Sequence, residues 1–420
     1  EPPPPTLTKC GRAIPTLVLE HFLTDLPETI WSRTVLDERS FRQRSIRCRE
    51  RNGSCSAELL QRVLLQCAEE RFAVKVRRFR ERLSELARER AMMVREPWRS
   101  YMRRVRIGNP QEIPPPLPDL RESHLRARGI WDQILYEGFV EGLGYSRNRD
   151  PFLRLARSVT LDHAALVLRS GGEEALEAVL FGAGGLLPKI RSVEERDARL
   201  LVRRLRALWT SQKNVLRIEE IHPADWVFSP ARPTNFPTAR AAAAVQIVQK
   251  ILHEDLFRRL VRVLASEEPP VQTVKSLREL MALRASGFWS DHLDFRHPSR
   301  RRTMLVGKAR ADDLICNTVL PVGYLYADIF REQKVQRGVK GAFEVYPSLA
   351  QNGILRLLEH QLFRGKAAVD RMVLQQGAIH LYRQYCLEER CAECEVGMKV
   401  FQEDGAQKEL PPTADLAAER

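Results

Sequence analysis

Three thiols crowd one end of the sequence, in the run QYCLEERCAEC: Cys386, Cys391 and Cys394. The C-x4-C-x2-C spacing is that of metal ligands. It matches the first part of the plant-type two-iron, two-sulfur pattern, which needs another Cys downstream. None follows Cys394. Zinc accepts three Cys with one further Cys or His. His380 stands six residues before Cys386. On a continuous helix six residues turn about 600°, which leaves two side chains roughly 120° apart. That pair shares a metal only if the helix ends between them. Cys316 is then the fourth ligand to test, so the candidate metal set is Cys386, Cys391, Cys394 and Cys316, for zinc or an iron–sulfur cluster. The competing reading is three reduced thiols at a helix end that fasten the C-terminus without metal.

A second set of residues could bind anions. Arg71, Lys75, Arg78 and Arg82 recur at three- and four-residue spacing, which places them on one helix face. From Arg42 to Arg106 there are 19 Lys/Arg and 8 Asp/Glu, so 19 − 8 = +11 of the chain's +14 lies there. Arginine forks match phosphate oxygens, which points to nucleic acid as a partner. The plainer reading is a solvated basic face. In ARPTNFPTAR, Arg232 and Arg240 flank a proline-started helix, whose N-terminus attracts anions. Arg300, Arg301 and Arg302 form another basic patch, beside His292 and His297, whose spacing matches no familiar ligand set. FGAGGLLP reads as a helix end and turn, since it lacks the Lys-Ser/Thr of a P-loop. No complete hydrolase, metalloprotease or dinucleotide signature is present, so no catalytic residue is assigned.

The elements that must position these groups read as mostly helical. The 420 residues are 44% hydrophobic and 29% charged, enough for a sizeable core. Ser56 is a cap candidate for a long helix with apolar positions from Leu60 to Leu86. WDQILYEGFVEGLGY predicts a helix ending at Gly142 or Gly144 in a left-handed turn. The run from Leu161 to Pro188 predicts two helices broken at Gly171-Gly172. Pro237 suits a first helical turn, with Asn235 as its cap. The expected fold class is mainly α-helical, a multi-helix globular array with a short N-terminal β fragment. That fragment, TLVLE, is one strand without a nearby partner, and the sequence begins at Glu1 without Met, so the sheet's other strands are expected upstream. The expected divisions are 1–22 (terminal strand), 23–108 (basic helical region), 121–213 (central helices), 214–400 (C-terminal helices ending in the Cys cluster) and 401–420 (disordered tail). Scattered cysteines and the lack of a signal peptide or of a roughly 20-residue apolar run predict a reducing, cytoplasmic setting with no membrane partner.

Seven stretches occur in one order: GRAIPTLVLE, WDQILYEGFVEGLGYSRN, EEALEAVLFGAGGLL, ARPTNFPTAR, FWSDHLDF, LICNTVLPVGYLYA and YCLEERCAECEVG. Together they resemble the uncharacterised bacterial family catalogued as domain of unknown function 2851, from about Gly11 to Gly397. The resemblance implies a further N-terminal region with Gly-Pro-Asp-Phe and Val-Glu-Ile-His motifs, whose acids are similar to those of PD-(D/E)XK-type nucleases. This sequence contains neither motif. The functional expectation is a nucleic-acid-associated protein, the helical part of a nuclease-like protein whose catalytic acids are absent from this chain. The alternative is a non-enzymatic helical scaffold that binds a protein partner, with the cysteines as a structural or metal clip.

Overall fold

The longest helix begins where a serine can cap it. In the computed structural model Ser56 Oγ accepts the backbone N–H of Leu59 at 3.2 Å. Helix α1 then runs over Ala57–Val94. Its apolar positions Leu60, Leu64, Val76, Phe79 and Leu83 are buried, as the three- and four-residue spacing requires. The structure describes residues 45–49, 55–94, 122–229, 235–296, 298–299 and 303–402. The expected N-terminal strand and the C-terminal tail beyond 402 lie outside them.

Helices follow in sequence: α2 (Glu122–Leu125), α3 (Arg128–Leu143), α4 (Arg149–Ser158), α5 (Leu161–Ala183), α6 (Arg196–Leu216), α7 (Pro237–His253), α8 (Leu256–Ala265) and α9 (Pro270–Leu280). A minimal antiparallel pair, β1 (Leu283–Arg284) and β2 (Met304–Val306), precedes α10 (Lys308–Leu314). Then come α11 (Leu320–Phe330), α12 (Gln333–Val345), α13 (Gly353–Leu358), α14 (Met372–His380) and α15 (Glu395–Gln402). The protein is thus mainly α-helical, and all described residues fall in the unit Ser45–Arg420. Residues expected in three separate helical blocks share one apolar cluster, which runs from Val76 on α1 to Met372 on α14.

Local chemistry departs from expectation at three ends. Helix α3 stops at Gly144, but Gly144 is right-handed (φ −73) and Tyr145 takes the left-handed turn (φ 55). A Cβ on Gly144 would overlap the Asn148 carbonyl, so close backbone approach is what needs glycine there. Helix α7 has Pro237 in its first turn but Phe236 at the cap. Asn235 accepts instead from Arg240 at 2.8 Å. The break at Gly172 is real (φ 70, ψ −161), although the helix resumes directly after it. The glycines of FGAGGLLP close α5: Leu186 N–H reaches Phe181 O at 2.9 Å and Gly185 has φ 62, which spends those donors inside the chain.

Helix α14 packs most intimately of all against α1. A Cβ at Gly377 would overlap the carbonyl oxygen of Leu64, a backbone atom that cannot swing aside. Gly377→Ala should therefore force the two helices apart and lower unfolding stability by about 3 kcal/mol, read from the denaturant midpoint. An unchanged midpoint would show that the contact is not needed.

Candidate anion-binding site

The basic face of α1 divides into two halves with different partners. At Arg78 and Arg82 it meets two acids of α3. Arg78 donates twice to Glu141, at 2.8 and 2.6 Å. Arg82 donates twice to Glu137, at 2.9 Å each. Arg149 of α4 also holds Glu141, at 2.6 Å, and Arg157 approaches Glu137 at 3.4 Å. The Glu137 side chain is only 4% exposed, so these arginines neutralise carboxylates inside the fold.

At Arg71 and Lys75 the partners are neutral. Arg71 Nε and Lys75 Nζ both donate to Gln376 Oε1 of α14, at 2.8 and 2.9 Å. Lys75 Nζ also lies 3.9 Å from Cys316 Sγ. Arg383, just beyond α14, lies within electrostatic reach of Arg71, and makes no hydrogen bond or ion pair among the described residues. Among the described residues none of Arg71, Lys75 and Arg383 is paired with a carboxylate.

The electrostatics report crowding. Lost hydration, with Arg71 and Arg149 close by, brings Lys75 down from 10.5 to about 8. Lost hydration and then Arg383 bring Arg71 down to about 10. Arg383 is lowered for the same reason, with Arg149 as its charged neighbour. Asp313 of α10 lies within reach of Lys75, but burial raises it and Arg310 holds it at 3.3 Å. Two of the site's side chains sit on π-helical turns, Cys316 in Ile315–Val319 and Arg383 in Leu381–Cys386. Such widened turns recur at functional sites because they redirect a side chain out of helical register. Chemically, this is a cluster of two half-buried cations and one exposed one, with no carboxylate paired to them among the described residues. It can hold an anion, and arginine forks favour phosphate or carboxylate.

The other expected contacts lie elsewhere. Arg240 is buried, and donates to Leu305 O at 2.9 Å, Asn235 Oδ1 at 2.8 Å and Tyr145 Oη at 3.2 Å. It braces the start of α7 and is closed to a ligand. His292 is clamped between Asp291 and Glu195, at 2.8 and 2.7 Å, and stacks on Phe288. Arg232, His297, Arg300, Arg301 and Arg302 lie outside the described residues.

The expected metal set is not brought together. Cys316 is fully buried against Lys75 and the Met372 sulfur, 3.3 Å away, and is not among the groups that act on Cys386. Cys386, Cys391 and Cys394 instead lie within electrostatic reach of Cys48, with Cys55 and Cys67 beside them. The Cys48-x6-Cys55 pair was the sequence signal for this cluster, overlooked among scattered cysteines. Among the described residues no group of three His, Cys, Asp or Glu is arranged to hold a metal ion. Burial raises the Cys48, Cys67, Cys386, Cys391 and Cys394 thiols, Cys48 to about 12. His380 turns away to Glu70, at 3.3 Å. The cluster fastens the C-terminus: Cys394 receives the N–H groups that open α15, Glu395 pairs with Arg62 at 2.8 Å, and Arg47 pairs with Glu389.

Among curated proteins and among solved structures, nothing matches the chain. A family model does match, over residues 118–351, and carries the description "Protein of unknown function (DUF2851)". That segment includes Glu137, Glu141, Arg149 and Cys316, while Arg71, Lys75, Gln376 and Arg383 flank it on either side. The match is narrower than the resemblance read from the sequence, but it covers more than half of the chain, which therefore belongs to the DUF2851 family.

Proposed function

We propose that the chain binds nucleic acid through phosphate contacts, with Arg71, Lys75 and Arg383 at the centre and Arg149 at the rim. The observation that carries this reading is the convergence of three cations that no carboxylate pairs with among the described residues. Crowding like charges away from water lowers stability, and such a cost persists where a ligand repays it. The net charge of +14 favours a polyanion over a single small anion. The cluster supplies binding, not bond cleavage. The nuclease-like part of the reading is supported by resemblance alone. Absence of binding would favour the scaffold alternative, in which the helices present a surface to a protein partner.

Binding should be measured by fluorescence anisotropy with labelled single-stranded and duplex DNA at about 50 mM salt. Four phosphate contacts give a log–log salt slope of roughly −3 to −4. Arg71→Gln and Lys75→Met should each weaken binding to every sequence alike and reduce that slope by about 1. Undetectable binding at low salt would sink the proposal. Arg82→Gln should behave differently. It leaves Glu137 with the neutral Gln133 amide at 3.0 Å and only the more distant Arg157 as a cation, so it should cost about 3 kcal/mol of stability and alter binding little in the molecules that stay folded.

Lys75 gives a pH signature. Unfolded, it stays protonated to about 10.5; folded, it releases its proton near 8. Between those values the unfolded chain binds more protons, so stability rises with pH across that window. Affinity for DNA should fall over the same range as the charge is lost. Lys75→Met should remove both trends, and raise the melting temperature at pH 7 by on the order of 2 °C. A variant whose pH profiles match those of the parent protein would refute this role.

A further inference from the structure

A cavity of about 320 Å³ opens between the start of α3, the helix α8 and the end of α11. Its floor and walls are aromatic. Trp131 and Phe257 stack with centroids 5.6 Å apart, Tyr326 meets Trp131 edge-on at 5.3 Å, and Phe330 packs on Tyr326 at 4.9 Å. Trp131 Nε1 donates to Leu125 O at 2.7 Å, which fixes the indole in the wall. Tyr326 and Phe330 are only partly buried, so their rings face the opening.

The rim carries paired charges. Arg126, Arg128 and Arg258 line it with Glu332, and each arginine also has a carboxylate beside it: Glu122 at Arg126, Asp132 and Asp255 at Arg128, and Asp255 at Arg258. Arg126 lies over the Phe330 ring at 5.2 Å. The side chains of Arg126 and Arg258 are 66% and 64% exposed; the Arg126 pair with Glu122 is a surface pair that a ligand can displace at small cost, while Arg258 stands 3.5 Å from an Asp255 that Arg128 holds at 2.7 Å. Aromatic faces attract both flat heterocycles and cations. Here the mostly exposed Arg126 and Arg258 can turn to a ligand that carries its own negative charge.

We propose that this pocket receives a nucleobase whose phosphate lies against the arginine rim. Two sources carry that chemistry, an unpaired base in a single strand and a free mononucleotide. The first rests on the nucleic-acid reading above. Trp131 of the pocket and Glu141, which holds Arg149 at the rim of the cationic cluster, are ten residues apart on α3, about 15 Å along that helix, the rise of four or five nucleotides in a B-form strand. A strand held by its phosphates at Arg71, Lys75 and Arg383 could therefore place a base in the pocket.

The test compares a 12-nucleotide single strand, the same strand carrying abasic sites throughout, a duplex of equal length and adenosine monophosphate. Stacking of one base contributes about 1–3 kcal/mol, a margin of roughly 5- to 150-fold for the base-bearing strand over the abasic one. Phe330→Ala and Arg126→Gln should remove that margin and leave duplex affinity unchanged. Arg258→Glu, at an exposed position, keeps the test open should Phe330→Ala fail to fold. Adenosine monophosphate that binds the parent protein, but not Arg126→Gln or Arg258→Glu, supports the pocket through its second source even where no strand binds. That outcome would overturn the nucleic-acid reading and keep this one. Equal affinity for base-bearing and abasic strands, with no adenosine monophosphate binding at millimolar concentration, overturns the pocket.

Discussion

Helix α14 lies against α1 with no room for a side chain between Gly377 and the Leu64 carbonyl, and the candidate site follows from that contact. Gln376 is the neighbour of Gly377, so the approach that excludes a Cβ also delivers its side-chain oxygen to Arg71 and Lys75. Two turns along α1 from Leu64, those cations face a neutral acceptor at hydrogen-bond distance. The widened turn that follows α14 then swings Arg383 toward the same place. A looser helix pair would let water between these groups. Hydration would return, and with it the ordinary basicity of Lys75. The low hydration at the site is therefore a consequence of backbone packing, set by one residue with no side chain.

The same face of α1 shows how fold and function share a single motif. Arg78 and Arg82 meet Glu141 and Glu137, acids carried four residues apart on a helix whose residues are almost all buried. A buried carboxylate needs a cation, and removal of either partner is costly because the other remains. Those arginines are committed to the fold. One turn earlier, α14 offers an amide where α3 offers acids. An amide accepts hydrogen bonds but cancels no charge. The cations at Arg71 and Lys75 are oriented by Gln376 without being neutralised, so their positive potential remains available to a ligand.

Much of the architecture was legible in the sequence. Period and capping chemistry are local, so Ser56, the apolar positions of α1 and the kink at Gly172 all read correctly. Spacing also identified the basic face, and Arg71 and Lys75 with it. It could not divide that face, because a helix period states which side chains share a side and not what another helix, dozens to hundreds of residues away, sets opposite them. Asn235 failed as a cap for a related reason: a buried arginine five residues on competed for its oxygen. Cysteine spacing misled in the same way. It found three members of a cluster whose remaining members lie more than 300 residues earlier, and it recruited Cys316, which the fold places beside Lys75.

The cysteine cluster has a mechanical place in this scheme. Its thiols pack as small apolar groups between the segment at Cys48, the first turns of α1 and the segment from Cys386 to Cys394. Gly397 approaches the Cys391 carbonyl too closely for a side chain, and Arg62 draws α15 onto α1 through Glu395. The turn that carries Arg383 is thus held at both ends, by α14 on one side and by this knot on the other. Among the described residues Arg383 has no counter-ion, and Arg71 and Arg149 repel it. Solvent at its exposed side chain, together with backbone restraint on both sides of its turn, keeps it beside those like charges. The thiols that first suggested chemistry supply one of those restraints.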